Sequence, residues 1–249
     1  MRSIDLNCDL GEGMPNDRAL MKYVSSVNIA CGYHAGNKGI MQQTVEWAIE
    51  NNCAIGAHPS YPDTENFGRI DILDSTVSRA ELPGLIADQI ELLEEICREA
   101  GTSLHHIKPH GALYNRAAVD EEVSATICRV IRNFNPDLML YGLSGSVTKK
   151  IAEEQNIKFV NEVFADRTYL DDGRLTPRTE VGSLIEDQDS SLKQVLQMIL
   201  EHTVTSVRGK RIPLEAETIC IHGDGAHALE FGAFIYQALN ERGIEIRPV

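Results

Sequence analysis

Positive charge is scarce in this chain. Its 23 Lys and Arg face 37 Asp and Glu, a formal net charge of −14 over 249 residues. A surface so poor in cations excludes a function built on gripping nucleic-acid phosphates, which needs a basic face. It does not exclude a small anionic substrate, which responds to local rather than total charge. Long apolar runs are also missing, and none approaches the ~20 residues of a membrane-spanning helix. The six cysteines, at 8, 31, 53, 97, 128 and 220, form no close pair and no CxxC, which argues against a zinc–thiolate site. Buried, reduced thiols are expected instead. An acid by Asp5 speaks against a signal peptide, so the cytoplasm is the expected compartment. The phosphate loop GxxxxGK followed by Ser or Thr is absent, as are GxGxxG and the GxSxG nucleophile elbow. No internal repeat, low-complexity tract or linker interrupts the chain.

What is present is rhythm. The composition is 43% apolar and 24% charged, enough for a full core. Short apolar runs at 3–8, 26–30, 53–57, 104–108, 138–142, 157–161 and 218–222 read as strands. Helical periodicity occupies 38–51, 79–100, 119–133, 189–207 and 226–241. Gly243 is a stop signal for the last of these. Alternating β and α elements imply a parallel sheet. Seven strands predict an irregular (β/α)7 barrel in one domain, 1–249. From 162 to about 187 no period is convincing, and Asp171-Asp172-Gly173 marks a tight turn. A hairpin or lid over the site is expected there.

The polar residues collect where the strands end. Asp9 and Glu12 follow the first strand in DLNCDLGEG, with Asn7 just before them. His34 lies in NIACGYHAG after the second. His58 and Asp63 lie in GAHPSYPD after the third, followed by Phe67-Gly68-Arg69. Lys108 and His110 lie in HIKPHGALYN after the fourth. Asp166, Arg167 and Tyr169 follow the sixth, with Glu162 nearby, and His222 and Asp224 follow the seventh. Each histidine alone reads as a packed core residue. Together they converge, because parallel strands put all their C-terminal ends on one barrel face. His202 alone reads as a mid-helix histidine.

Imidazole with carboxylate suits a divalent metal, and Asp9, His34 and His58 come from successive strands. Such an ion would lower the pKa of bound water to roughly 7. Without a metal, Asp9 or Glu12 can serve as general base and a histidine as proton shuttle. Lys108 and Arg167 are the cations expected to face the site, one as a point charge and the other as a fork for a carboxylate.

The set DLNCDLGEG, NIACGYHAG, GAHPSYPD with FGR, KPHGALYN, FADRTY with LTPR, and HGD resembles the family of 5-oxoprolinase A subunits, also called LamB/YcsF. The likeness runs from residue 4 to about 242 in the family's order. It implies an irregular TIM-like (β/α) barrel similar to that of sugar deacetylases. It further implies ATP-dependent opening of the lactam of 5-oxo-L-proline to L-glutamate, using ATP with Mg and partner subunits B and C. Carried over by position, the family's site would be built from Asp9, Glu12, His34, His58, Asp63, Lys108, His110, Asp166, Arg167, His222 and Asp224. From the chemistry of the strand ends, catalysis is expected to fall to Asp9, Glu12, Lys108, His110, His222 and Asp224. Substrate binding would fall to Asn7, Asp63, Arg69, Asp166, Arg167 and Tyr169. Asn37 stands where an acid is expected, Asn66 where glycine is usual, and Ile70 where a second arginine is. Two rival readings are a metal-dependent deacetylase of an N-acetyl sugar and a non-catalytic binding or regulatory subunit.

Overall fold

A computed structural model describes residues 2–222 and 228–249. Seven parallel strands close on themselves: β1 (Arg2–Leu10), β2 (Ser26–Ala30), β3 (Ala54–His58), β4 (His106–Ile107), β5 (Met139–Leu143), β6 (Phe159–Phe164) and β9 (Thr218–His222). β9 pairs with β6 on one side and β1 on the other, which completes the barrel. All seven lie where the apolar runs predicted them, within one or two residues at most ends.

Helices cover the outside. They are α2 (Lys38–Glu50), α3 (Leu82–Glu99), α5 (Glu121–Phe134), α6 (Val147–Glu154), α7 (Gln188–Glu201) and α8 (Ala228–Glu241), with the short α1 (Asp17–Leu20) and α4 (Gly111–Ala117) in the loops above. Their apolar stripes press on the sheet. Val45 and Ala48 of α2, Ile86, Ile90 and Leu93 of α3, and Ile127 and Ile131 of α5 are fully buried. α5 starts at Asp120, whose carboxylate accepts the backbone N–H groups of Glu122 and Val123.

The barrel interior is polar, and strand alternation shows why. Even-numbered residues of β1 (Ile4, Leu6, Cys8, Leu10) join the apolar core beneath the helices, while Asp5, Asn7 and Asp9 point inward. At the bottom, Asp5 accepts hydrogen bonds from Ser25 and Ser26 on one oxygen and from Thr218 and Tyr141 on the other. Burial outweighs those four donors and raises its pKa. Above it, His106 Nε2 donates to Asn28 Oδ1 at 2.7 Å and its ring stacks on Tyr141. That ring fills the space over Gly56, where a Cβ would lie 2.2 Å from Nε2.

Three departures from the sequence-based expectation have local causes. The pattern at 189–207 is not one helix. α7 ends at Glu201, and His202, expected in mid-helix, takes a left-handed C-cap with φ 53°. The chain then forms an antiparallel ribbon of β7 (Thr203–Thr205) and β8 (Arg211–Pro213), and Val207, the last apolar residue of the helical pattern, lies exposed in the turn between them. Second, α4 and α6 went unread because seven or eight residues are too few to establish a period. Third, β10 (Ile244–Ile246) pairs with the lower end of β1, outside the barrel.

The segment from 165 to 187 carries two antiparallel bridges, Arg167 with Leu184 and Tyr169 with Leu175. Its tip turns at Gly173, whose N–H bonds the Leu170 carbonyl.

Candidate active site

The C-terminal strand ends open into a cavity of about 820 Å³. Asp9, Glu12, His58, Lys108, His110 and His222 line its floor, and Arg69, Arg167, Arg174 and Arg178 line its walls. Five of the six residues expected to be catalytic therefore meet in one place. Asp224 lies outside the described residues.

Lys108 sits at the centre of the floor, buried to 2% exposure. Its Nζ lies 2.7 Å from Asp9 Oδ1, 2.8 Å from Glu162 Oε1, 3.1 Å from Asn7 Oδ1 and 3.2 Å from Cys220 Sγ. Burial works against the ammonium, but Asp9 and Glu162 outweigh it and hold its pKa well above the usual lysine value. Asn7 donates to Glu162 and Thr218 and accepts from Lys108 and Asn28. It is fully buried behind the lysine, so it orients Lys108 and does not line the cavity.

Asp9 is fixed on both oxygens. Asn28 and Lys108 donate to Oδ1, and Oδ2 faces His58 Nε2 at 3.4 Å. Burial opposes its ionisation, but the neighbouring His58 and Lys108 prevail and the carboxyl is held well below its ordinary range. Across the floor, His222 Nδ1 lies 2.8 and 2.9 Å from the two Asp166 oxygens and donates to that carboxylate. This fixes the tautomer, leaving Nε2 as the other ring nitrogen of a cavity-lining residue. Burial raises Asp166, but the His222 charge outweighs it and the carboxyl stays below its usual pKa.

The second group lies to one side. His34, His58 and His110 pack together, with His34 stacked on His110 at 3.8 Å and 3°. Glu12 Oε1 approaches His34 Nε2 at 3.3 Å and His110 Nδ1 at 3.8 Å. Ligand atoms of Glu12 and the three histidines all fall within 4.8 Å of one another, and those of Asp9, Cys220 and His222 do likewise. His34 and His58 of the expected metal triad thus share a group with Glu12 and His110, and Asp9 touches it through His58. Burial drives the His34 pKa down to about 3 and that of His110 well below its normal value.

Loops place these groups by backbone. The Asp17 carboxylate accepts the Gly11 N–H at 3.0 Å and so folds the turn that presents Glu12. Gly68 holds φ 63° between the rings, where a Cβ would lie 2.9 Å from His34 Cβ and 3.0 Å from His110 Cδ2. Asp63, expected at the substrate, accepts from Asn66 backbone and side chain and shapes the 63–68 turn instead. Asn37 caps α2 by accepting from Ile40, which gives that departure a structural role.

Tyr169 and Arg167 also act on the fold. Tyr169 is buried away from the cavity, its hydroxyl accepting from Phe164 N–H. Arg167 lines the cavity, but its Nη2 donates to the Thr176 carbonyl at 2.6 Å and its Nε to that of Ser183. Sequence reasoning gives Glu162, beside the sixth strand end, no role, although a charge inside the strand FVNEVF is a signal for one. Ser60 and Arg178 lie unassigned inside the motifs GAHPSYPD and LTPR, and Cys220 reads only as a buried thiol.

Comparison with known proteins agrees with this architecture. A chain from Bacillus thuringiensis subsp. konkukian (strain 97-27), named as the A subunit of 5-oxoprolinase, is 47% identical over 99% of this chain and 98% of its own. The crystal structure of a lactam utilization protein from Thermus thermophilus superposes with a TM-score of 0.92 at 36% identity, covering 99% of this chain and all of that one. A variant of the peptidoglycan deacetylase PdaC from Bacillus subtilis shares the fold alone, at 12% identity and a TM-score of 0.51 over 100% of this chain and 88% of its own. The family described as LamB/YcsF matches residues 4–249, and this chain belongs to it.

Proposed function

We propose that this chain is the A subunit of an ATP-dependent 5-oxoprolinase and hydrolyses the ring amide of 5-oxo-L-proline to L-glutamate together with subunits B and C. The relatives' names point to a lactam. The observation that carries the reading is a buried cation between two carboxylates at the floor of a cavity whose walls bear arginines. An unactivated five-membered amide is a poor electrophile. Phosphorylating its oxygen with ATP makes the carbonyl carbon attackable and explains a requirement for further subunits.

The residues divide the work. Arg178 and Arg69 take the substrate carboxylate at the cavity wall. Arg167 is held by the Thr176 and Ser183 carbonyls and instead fixes the wall that carries Arg178. Asp9, kept ionised, receives the proton of the attacking water through Oδ2. Lys108 neutralises charge on the phosphorylated amide oxygen, which leaves as phosphate when a second water opens the acyl phosphate that ring opening produces. It is the kind of preorganised donor whose loss costs about 10²–10³ in rate. His222, oriented by Asp166, delivers a proton to the departing ring nitrogen.

Reconstitution tests this reading. The chain with subunits B and C, ATP and Mg should release glutamate from 5-oxoproline, and the chain alone should release none. Deacetylation of an N-acetyl sugar without ATP, by the chain alone, would replace the lactam with the rival substrate. Unchanged turnover in reconstituted Asp9→Ala would reduce the chain to a binding subunit.

A further inference from the structure

The three-histidine group holds its protons in an arrangement that asks for a cation. His58 Nδ1 lies 2.7 Å from the Lys108 carbonyl, and His110 Nε2 lies 2.9 Å from the Phe67 carbonyl. A carbonyl only accepts, so both of those nitrogens carry the hydrogen. His34 Nδ1 lies 2.9 Å from Ser60 Oγ, whose own hydrogen goes to the Tyr61 carbonyl at 3.0 Å. That hydroxyl is therefore an acceptor too, and His34 Nδ1 carries the hydrogen. Gln89 locks Ser60 in place by bonding both its N–H and its carbonyl.

Of the three inner nitrogens, His34 Nε2 and His110 Nδ1 face Glu12 Oε1 at 3.3 and 3.8 Å, and His58 Nε2 lies between His110 Nδ1 at 2.9 Å and Asp9 Oδ2 at 3.4 Å. His58 Nε2 and His110 Nδ1 face each other at 2.9 Å with no hydrogen between them in their neutral forms. Two lone pairs and a carboxylate do not converge at that range without something positive among them.

We propose that Glu12 Oε1, His34 Nε2, His58 Nε2 and His110 Nδ1 are the ligands of one divalent transition-metal ion. Anchoring each outer N–H to a carbonyl or a locked hydroxyl is what metal-binding histidines require to aim their other nitrogen. The spacings agree as well. Ligands about 2.1 Å from an ion at tetrahedral angles lie roughly 3.4 Å apart; three of the six pairs here are 2.9, 3.3 and 3.8 Å, and all fall within 4.8 Å. Imidazole with one carboxylate selects the zinc, cobalt or manganese class over calcium or magnesium. Asp9 stays outside the set, tied to Lys108 and Asn28. The ion sits against the floor on which the proposed hydrolysis takes place, but the inference does not rest on the lactam reading.

The test is binding without substrate or partner subunits, so it succeeds or fails apart from the lactam reading. Chelator-stripped chain titrated with Zn²⁺ should take up one equivalent. Co²⁺ should give visible bands characteristic of nitrogen and oxygen ligation. His110→Asn should weaken Zn²⁺ binding at least about 100-fold. Ser60→Ala removes only the hydroxyl that aims His34, and should weaken it about 10–100-fold while melting within a few degrees of the parent. Ser60→Ala keeps the proposal falsifiable should His110→Asn fail to fold. Failure of the parent chain to bind one equivalent overturns the proposal and leaves a shared proton. Parent-like affinity in Ser60→Ala also overturns it. A sulfur-to-cobalt charge-transfer band that vanishes in Cys220→Ser would place the ion at Asp9, Cys220 and His222 instead.

Discussion

Lys108 Nζ lies 2.7 Å from Asp9 Oδ1 in a pocket that leaves the lysine 2% exposed. Glu162, fully buried, holds the same ammonium at 2.8 Å from the other side. One cation between two acids in the barrel interior makes the three charges interdependent. Removing the cation strands two like charges, and unpairing a buried ion pair costs about 3–5 kcal/mol. Lys108→Met is therefore expected to melt at least about 6 °C lower, at 2–4 °C per kcal/mol for a chain of this size, and to lose activity about 10²-fold or more. The double variant Asp9→Asn/Lys108→Met should recover part of that stability and none of the activity. Thermal melts and the reconstituted assay check this, and additive melting shifts in the double variant would show the two residues to be uncoupled.

Much of this barrel was legible in the sequence because parallel strands announce themselves twice. Runs such as CAIGA and TICIH are apolar, and the residues that follow each run are polar. That second signal brought out Asp9, Lys108, His110 and His222. It failed where the local pattern and the role diverge. Tyr169 stands in a motif beside Asp166, yet its hydroxyl bonds a backbone N–H inside the fold. Asn7 has the chemistry of a ligand but lies one inward-facing layer below the cavity floor. Which layer a polar residue occupies depends on strand stagger, and no local pattern encodes that. Ser60 shows the limit from the other side, since its importance comes from the groups at 2.9 and 3.0 Å that two distant segments, those of His34 and Gln89, bring to it.

Asp17 predicts a measurable pH dependence. Its carboxylate is buried and accepts from Gly11, and burial pushes its pKa up to about 6 against those backbone bonds. The unfolded value is about 3.9. Between pH 4 and 6 the folded chain therefore holds a proton that the unfolded chain has released, so this group's contribution to stability falls as pH rises through that window. Asp17→Asn keeps an acceptor for Gly11 but cannot titrate. Denaturant unfolding at pH 4 and pH 6.5 should show the parent losing more stability over the interval than Asp17→Asn. Equal losses in the two would mean that Asp17 is ionised throughout. Depressed carboxyls act in the opposite sense. Asp9 contributes stability above about pH 4 that is lost as pH falls through its lowered folded value, and the two windows do not overlap.

Asp166 tests whether His222 moves a proton or only fills space. The carboxylate receives the His222 Nδ1 hydrogen at 2.8 Å, and its charge supports the ring while Nε2 carries the proton meant for the departing nitrogen. Asp166→Asn removes that charge and can turn its amide so that an N–H donates to Nδ1, which leaves a neutral ring that is a far poorer acid at Nε2. Phe164 stacks on the imidazole at 5.6 Å, so the ring keeps its place in the variant. The expected result in the reconstituted assay is a fall of about 10²–10⁴ in kcat, the usual worth of positioned acid–base catalysis, with KM changed by less than about threefold. The pH profile separates this from a packing defect. The parent should show a limb set by the His222–Asp166 pair, and Asp166→Asn should lose it or shift it. A variant that keeps the parental limb while KM rises would show that the pair binds substrate and transfers no proton.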